Sequence, residues 1–153
     1  MSQQVEVESF VEFVERASPR LKAALVAAVG IDRAPDAIAD ALAYGWEHWD
    51  RVGSMENPAG YLYRVGVSKG RYRRPFRPLL PSPPTGEMPW VEPGLPKALS
   101  RLSEKQRVVV LLVHSFGWTQ EEAAELLGIS RATAQTHLER GIRRLRSSLG
   151  VRT

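Results

Sequence analysis

The chain has 153 residues and a formal net charge of +4, with 43% hydrophobic and 25% charged residues, a balance typical of a chain that folds as one domain or two small ones. It contains no cysteine, which excludes disulfides, thiolate nucleophiles, iron–sulfur clusters and cysteine zinc sites. No apolar run approaches the roughly 18 residues of a membrane helix and the first residues are acidic, so we expect no membrane insertion, no signal peptide and a cytoplasmic location.

The first helix is predicted by a capping box, in which Ser9 is followed three residues later by Glu12. Apolar residues then recur at spacings of three and four, the period of a helix with one buried face. We expect Pro19 to bend or restart this helix and Gly30 to end it.

A second helix is predicted from about Asp32, which can serve as N-cap with Pro35 in the first turn. It continues to about Trp49, and its expected buried stripe comprises Ile38, Leu42, Trp46 and Trp49. The pattern favours both tryptophans as core residues over a role in stacking on a ligand.

A third helix opens with Asn57 as N-cap and Pro58 at the first helical position. It carries Tyr61, Leu62 and Val65, together with the bases Arg64, Lys69, Arg71, Arg73 and Arg74.

A proline-rich segment follows, because eight of the eleven prolines fall within residues 75–96. No helix or central strand tolerates that density. We therefore expect a linker over residues 75–96 between helical domains at residues 1–74 and 97–153. Loops packed on a single domain are the alternative.

Beyond the linker, a short helix is predicted over residues 97–101, and Ser103 with Gln106 forms a second capping box. The apolar segment that follows, from Arg107 to His114, is rich in valine, so a strand is conceivable. The cap, the segment's length and the following Gly117 favour a helix. The chain is therefore expected to be all-α.

The last segment predicts a helix-turn-helix. Thr119 and Glu122 form a third capping box, Gly128 supplies the left-handed turn, and Ser130 caps the final helix. The inward positions of that helix are Ala134, Leu138, Gly141, Leu145 and Leu149. The outward positions, suited to base edges and then to phosphates, are Arg131, Thr133, Gln135, Thr136, His137, Arg140, Arg143, Arg144 and Arg146. A helical hairpin that binds only protein is the alternative, and His137 is either a polar groove contact or a solvated residue.

Charge is distributed unevenly along the chain. Residues 1–56 hold ten acids against five bases, residues 57–86 hold six bases and no acid, and residues 87–153 hold ten bases against seven acids. This pattern suggests a protein-binding surface followed by two polyanion-binding surfaces. Solvated helix faces are the alternative explanation for any one of these segments.

A family resemblance is carried by three stretches: residues 102–112, the Gly-Trp-Thr-Gln-Glu-Glu-Ala-Ala-Glu-Leu-Leu-Gly-Ile-Ser run over residues 117–130, and residues 133–149. These stretches resemble region 4 of extracytoplasmic-function (ECF) sigma factors of the sigma-70 family. Upstream, residues 9–14, 34–49 and 57–65 resemble region 2 of the same family.

The resemblance implies a bacterial, dissociable subunit of RNA polymerase, an alternative sigma factor with a region 2 bundle of three to four helices and a region 4 helix-turn-helix. Its candidate partners would be the clamp and flap of core polymerase, promoter DNA and an anti-sigma factor. It would catalyse no reaction and need no cofactor or metal. The residues facing the clamp would be Asp36, Asp40 and Trp46. Those facing the -10 element would be Tyr61, Arg64, Ser68, Lys69, Arg71, Arg73 and Arg74. Those facing the -35 element would be Arg131, Thr133, Gln135, Thr136, His137, Arg140, Arg143 and Arg144.

Region 2 diverges from the family pattern at Pro35, Ala39 and Ser68, and Gly141 replaces the usual alanine in region 4. The divergence motivates an alternative function, a sigma-like regulator that uses the helix-turn-helix without initiating transcription. An enzyme is disfavoured because the three histidines are scattered and neither a metalloprotease motif nor a phosphate-binding loop occurs.

Overall fold

The computed structural model describes residues 7–71 and 94–150, and nearly all of these residues lie in helices or in the short turns between them. In chain order the helices are α1 (Phe10–Val29), α2 (Ala34–Glu47), α3 (Trp49–Val52), α4 (Pro58–Arg71), α5 (Leu95–Ser100), α6 (Glu104–His114), α7 (Gln120–Leu127) and α8 (Arg131–Ser148). No strand occurs in these two ranges, and the expected all-α class is confirmed. Arg73, Arg74 and residues 75–93 of the predicted linker lie outside the described residues.

The start of α1 follows the predicted capping box. The amide of Glu12 donates to Ser9 Oγ at 3.2 Å, and the amide of Ser9 donates to Glu12 Oε2 at 3.3 Å. The helix then runs without interruption through Pro19 and ends at Gly30, whose φ of 91° suits glycine. Pro19 therefore does not restart the helix.

The predicted buried stripe of α2 is wrong at Trp46, whereas Ile38, Leu42 and Trp49 are partly buried and pack against the core. The buried positions are Ala34, Ala37, Ala41 and Gly45, and Trp46 is 68% exposed. The physical reason is a close approach of α2 to α4: a Cβ added at Gly66 would lie only 2.9 Å from the carbonyl oxygen of Ala37. Small residues occupy such a seam, so the larger apolar side chains are displaced to its edge.

The ends of α2 also differ from the prediction. Arg33, in place of Asp32, occupies the N-cap but its side chain makes no capping hydrogen bond, while Pro35 does lie in the first turn. The helix stops at Glu47, and Trp49 begins the separate short helix α3.

Trp49 packs against the core, as predicted. Its ring centroid lies 4.9 Å from that of Phe13 and 5.5 Å from that of Phe10. Its indole Nε1 donates to the carbonyl of Glu8 at 2.9 Å, so the polar end of the ring also has a partner.

The C-terminal helices α5 to α8 begin two residues earlier than predicted, since Leu95 is the first residue of α5 and Pro96 lies in its first turn. At α6 the amide of Gln106 donates to Ser103 Oγ at 3.2 Å, which confirms the second capping box. The valine-rich segment is helical, so the strand alternative is wrong.

The N-terminal helices α1 to α4 and the C-terminal helices share an apolar core. Its buried members include Phe13, Leu21, Leu25 and Leu62 from the first group and Val108, Leu112, Ala123 and Leu126 from the second. A smaller cluster lies within the C-terminal helices and includes Leu99, Val109, Val110, Leu138 and Leu145. The two predicted helical units are thus in contact.

Arg107 crosses between the two groups of helices. Its side chain is buried, and its guanidinium donates to the carbonyls of Ala27 at 3.2 Å and Ala28 at 2.7 Å at the end of α1, and of Leu102 at 3.3 Å. Burial lowers the pKa of Arg107, while Glu104 and Tyr63 act in the opposite direction. An arginine stays protonated in proteins, so α6 places a cation against the last carbonyls of α1.

No helix in residues 7–71 or 94–150 is both long and apolar enough to cross a lipid bilayer.

Candidate nucleic-acid interface

The helix-turn-helix is formed by α7, a tight turn and α8. Thr119 Oγ1 accepts from the amide of Glu122 at 3.0 Å, completing the third predicted capping box. Gly128 adopts the left-handed conformation with φ 67° and ψ 32°, as the turn requires. Ser130 Oγ then accepts from the amide of Thr133 at 3.0 Å and caps α8. The turn predicted from sequence is therefore present.

The inner face of α8 is the predicted one. Ala134, Leu138, Gly141 and Leu145 are buried, and Leu149 packs at the edge of the same cluster. Burial of this stripe fixes the rotation of the helix, so the opposite face must point to solvent.

The outer face of α8 carries the residues that sequence analysis assigned to the -35 element. Seven of them are exposed: Arg131, Thr133, Gln135, Thr136, Arg140, Arg143 and Arg144. The structure therefore presents these donors and cations together on one helix face, as a helix that reads the major groove requires.

Several of these side chains have partners on the protein. Arg131 Nη1 lies 3.1 Å from Glu121 Oε1, with both side chains about 70% exposed, and Gln135 Nε2 donates to Glu139 Oε1 at 3.1 Å. Exposed pairs of this kind contribute about 0 to 1 kcal/mol, so DNA can replace them at little cost. Arg144 donates to Gln106 at 3.2 Å, which links α8 to the start of α6.

His137 is the half-buried member of the group. Burial lowers its pKa, and the nearby cations Lys105 and Arg140 lower it further. The lowered pKa favours the neutral imidazole, which can both donate and accept a hydrogen bond.

A second basic face lies on α4. Arg64, Ser68 and Lys69 are exposed and Tyr61 is half-buried. With Tyr44 and Val65 they line a shallow depression of about 410 Å³. Arg71 ends the helix, but its side chain is outside the described residues, so the structure brings together four of the seven residues predicted for the -10 element.

Two members of this face, Tyr44 and Arg51, were not predicted from the sequence. Arg51 donates a hydrogen bond to the Tyr44 hydroxyl, and its guanidinium lies 5.9 Å from the Tyr44 ring and 5.7 Å from the Tyr61 ring. Lys69 Nζ lies 5.6 Å from the Tyr44 ring. Aromatic rings beside cations are the combination that binds single-stranded nucleic acid.

The two hydroxyls of this face interact, since Tyr44 Oη and Tyr61 Oη are 3.4 Å apart. The hydrogen bond with Tyr44 lowers the pKa of Tyr61, and Arg51 adds to that effect. The hydrogen bond with Tyr61 in turn raises the pKa of Tyr44. In the sequence, Tyr44 and Arg51 could have been recognised as an aromatic residue and a base that lie shortly before the basic helix α4.

The residues predicted to face the polymerase clamp lie on α2. Asp36 is exposed and Asp40 is half-buried. Trp46 is exposed, with its ring 5.7 Å from that of Phe10 in an edge-to-face arrangement. An exposed tryptophan on an acidic helix is a feature of protein-binding surfaces. The core assignment of Trp46 is wrong, whereas the accessibility that clamp binding needs is present.

Comparison with known proteins identifies the family. Residues 94–145 match the family described as Sigma-70, region 4. The RNA polymerase sigma-E factor of Streptomyces antibioticus is 31% identical over 131 residues, which cover 78% of this chain and 72% of that protein. The chain belongs to the ECF sigma factor family. The match is longer than the C-terminal helices, so it extends into the N-terminal helices of this sigma factor as well.

Solved structures share the fold of this sigma factor. The sigma factor RpoE from Bartonella quintana, solved with the anti-sigma factor NepR, aligns with a TM-score of 0.62 and 23% identity over 94% of this chain and 98% of that one. CnrH, solved with the cytosolic domain of CnrY, aligns with a TM-score of 0.57 and 22% identity over 94% of this chain and 89% of its own. Both alignments include the N- and C-terminal helices.

Proposed function

We propose that this chain is an alternative sigma factor that binds core RNA polymerase and directs it to promoters with two DNA-binding faces. The observation that carries the proposal is the exposed, polar and basic face of α8, held outward by a buried stripe within a helix-turn-helix of sigma region 4. It acts by binding and performs no catalysis, and its place of action is the cytoplasm, where polymerase and DNA are found.

The -35 face is assigned to α8. Arg131 and Gln135 lie in its first two turns, where side chains of a recognition helix reach base edges. Arg140, Arg143 and Arg144 lie further along and are exposed, which suits contacts to phosphates.

The -10 face is assigned to α4 and the tyrosine–arginine cluster beside it. Tyr61, Arg64, Ser68 and Lys69 supply rings, hydroxyls and charge around one depression. Tyr44 and Arg51 extend this face, and unstacked bases bind to such aromatic and cationic groups.

The polymerase-binding face is assigned to α2, where Asp36, Asp40 and Trp46 lie. Residues 1–56, which include α2, hold ten acids against five bases, and acidic residues complement a basic protein surface. An anti-sigma factor is a further proposed partner, supported by the two related folds that were solved with such proteins.

The alternative function, a regulator that binds DNA without initiating transcription, is not favoured. The match to an RNA polymerase sigma-E factor covers 78% of the chain and supports the sigma factor over this alternative.

Equilibrium binding of the labelled chain to purified core RNA polymerase, with the housekeeping sigma factor as competitor, tests the proposal. We expect tight, competable binding that Trp46→Ala weakens at least tenfold, because truncating a central aromatic anchor costs about 2 kcal/mol or more. Asp36→Asn should also weaken binding, whereas Asp50→Asn, an exposed acid on α3, serves as the matched charge control.

Promoter-directed transcription with the reconstituted polymerase then tests initiation. A folded chain that neither binds core polymerase nor supports a transcript would contradict the proposal and favour the DNA-binding regulator.

A further inference from the structure

Gln135 and Glu139 form a hydrogen-bonded pair on the exposed face of α8. Gln135 Nε2 donates to Glu139 Oε1 at 3.1 Å, and both residues are exposed. Residues four positions apart lie one above the other on a helix, and long side chains lean toward its N-terminal end. Glu139 therefore reaches back to a residue that the proposed function places against a base.

The chemistry of the carboxylate fixes the orientation of the Gln135 amide. An ionised carboxylate accepts hydrogen bonds and donates none. If the amide were reversed, Gln135 Oε1 would face Glu139 Oε1, and the two acceptors would repel each other. The amide is therefore held with its nitrogen toward Glu139 and its oxygen turned away from it.

Orientation decides what Gln135 offers to a base, and in this it differs from its neighbours on the same face. Arg131 carries donors alone, so turning its guanidinium does not change the kind of group that it presents. Thr136 Oγ1 donates to the carbonyl of Ala132 at 3.1 Å, which leaves its oxygen to accept. Gln135 has a donor at one end of its amide and an acceptor at the other, so reversal exchanges the two.

An amide held in one orientation matches adenine. In the major groove adenine presents an acceptor at N7 and a donor at N6, and glutamine binds both through its amide nitrogen and oxygen. Guanine presents two acceptors, N7 and O6, so the oxygen of the oriented amide would face an acceptor. Gln135 Nε2 has two hydrogens, and it can donate one to Glu139 and the other to adenine N7. The pair can therefore persist when DNA is bound.

We propose that Glu139 is a positioning residue of the -35 face, which orients the Gln135 amide and thereby raises the preference of α8 for adenine over guanine at one base pair. The proposal rests on the proposed function, because Gln135 is taken as a base-reading residue. Glu139 acts through Gln135 and contacts no base itself.

The size of the effect follows from the exposure of the pair. A good bidentate contact to a base supplies a preference of about five- to 150-fold. An exposed pair is weak, so we expect Glu139 to contribute a factor of about two to five of that preference.

Selection from a library of duplexes randomised at the -35 element tests the proposal on the full-length chain. Sequencing of the bound duplexes gives the preference at each base pair. Gln135→Ala identifies the base pair that this residue reads and should abolish its adenine preference. Glu139→Gln keeps the length of the side chain, but its amide both donates and accepts and so pairs with either orientation of Gln135. It should lower the adenine preference about two- to fivefold at that same base pair.

Glu121→Gln is the matched control. It makes the same change of charge in the helix-turn-helix, at a carboxylate that lies 3.1 Å from Arg131 Nη1. Both variants remove one negative charge, so both should bind all duplexes more tightly. Only Glu139→Gln should change the adenine preference at the base pair of Gln135. Circular dichroism checks that every variant keeps its helices.

The double variant Gln135→Ala with Glu139→Gln shows whether Glu139 acts through Gln135. If it does, the double variant has the same base preferences as Gln135→Ala alone. A further loss at a different base pair would show that Glu139 itself accepts a hydrogen bond from cytosine, and this would overturn the positioning role.

Equal adenine preference in the native and Glu139→Gln chains would overturn the proposal and leave the proposed function intact, because the native preferences measure base reading separately. A native chain that selects other bases but no adenine would overturn the assignment of adenine to Gln135. A native chain that selects no sequence at all would contradict the -35 role in the proposed function as well.

Discussion

Gly141 shows how one missing side chain sets the distance between two helices. A Cβ at this position of α8 would lie 2.7 Å from Cγ2 of Val110 and 3.4 Å from the carbonyl oxygen of Gln106. Val110 is buried and β-branched, so its side chain has little freedom to move. Glycine is a weak helix former, but the close packing of α8 on α6 requires it at this position.

We expect Gly141→Ala to destabilise the chain by about 1 to 2 kcal/mol. Overpacking typically costs about 1 to 3 kcal/mol, and the better helix propensity of alanine returns up to about 1 kcal/mol. Urea unfolding measures the change. Ser147→Ala, an exposed change on the same helix, is the control.

The double variant Gly141→Ala with Val110→Ala tests whether crowding against Val110 causes this destabilisation. Removing the methyl groups of Val110 makes room for the new one, so the two costs should sum to more than the cost of the double variant. Stabilisation by Gly141→Ala alone would show that α6 and α8 are not as close as the structure places them.

Arg131 is the residue whose removal tests base reading most directly. It is exposed at the start of α8, and its pair with Glu121 is too weak to hold it away from DNA. Arg131→Ala should relax preference at one base pair of the -35 element by about 1 to 3 kcal/mol, as loss of a bidentate contact does. A library of -35 duplexes measures the preference.

Arg101→Ala removes an exposed arginine outside the helix-turn-helix and is the matched control. It should leave base preference unchanged. If the Arg131→Ala variant has the same base preferences as the native sequence, Arg131 does not read bases.

At the scale of elements, caps define where the helices of this chain begin. Ser9 with Glu12, Ser103 with Gln106, and Thr119 with Glu122 each form reciprocal hydrogen bonds. All three boxes were predicted, because the residues involved lie three positions apart and their chemistry is local. The start of α2, where no side chain makes a capping hydrogen bond, was placed less well.

Glu122 makes the third box sensitive to pH. The hydrogen bond from the Thr119 backbone lowers the pKa of Glu122, followed by the Thr119 side-chain interaction and the charge of Arg20. A carboxylate with a lowered pKa contributes stability above its ordinary value of 4.5, and this contribution is lost as pH falls through the lowered value.

Glu122→Gln keeps the hydrogen-bonding shape of the box and removes the charge. Urea unfolding measures how much more stable the chain with Glu122 is than this variant. We expect that difference in unfolding free energy to be constant near neutral pH and to shrink as pH falls below about 4.5. In a Thr119→Ala background the pH-dependent part should be smaller. A difference that is flat through the acid range would contradict this account.

At the scale of the whole molecule, a buried arginine and a shared core join the two groups of helices. Arg107 satisfies carbonyls of α1 that lie 79 and 80 residues earlier in the chain. Because the same apolar cluster contains residues of α1, α4, α6 and α7, each group of helices buries part of its surface on the other. Cooperative unfolding in one transition follows from this arrangement.

We expect Arg107→Met to destabilise the chain by about 2 to 3 kcal/mol. Methionine keeps the apolar stem but leaves the carbonyls of Ala27, Ala28 and Leu102 without their donor. Unfolding followed by tryptophan fluorescence and by circular dichroism should also lose its coincidence, because the two groups of helices separate first. Lys105→Met, an exposed change on the same helix, is the control. Coincident transitions with unchanged midpoint would contradict this role.

The packing of α2 against α4 corrected the prediction of which side chains of α2 are buried. Periodicity predicted a buried stripe of Ile38, Leu42, Trp46 and Trp49. Trp46 is exposed, and the fully buried positions of α2 are three alanines and a glycine, with the other three stripe residues packed beside them. Hydrophobic periodicity shows that a helix has an apolar face. Which residues of that face are fully buried depends on how closely the neighbouring helix packs, here α4. The predicted domain bounds and the roles of individual DNA-facing residues stay predictions.

The sequence by itself determined the helices, their caps, the left-handed Gly128 turn and the exposed face of α8, because each depends on residues a few positions apart. Only the tertiary structure decided that Trp46 is exposed, that Tyr44 and Arg51 join the α4 face, and that Asn57 and Arg107 bind the two groups of helices together. These contacts join residues far apart in the chain, and no local pattern encodes which distant backbone a side chain meets.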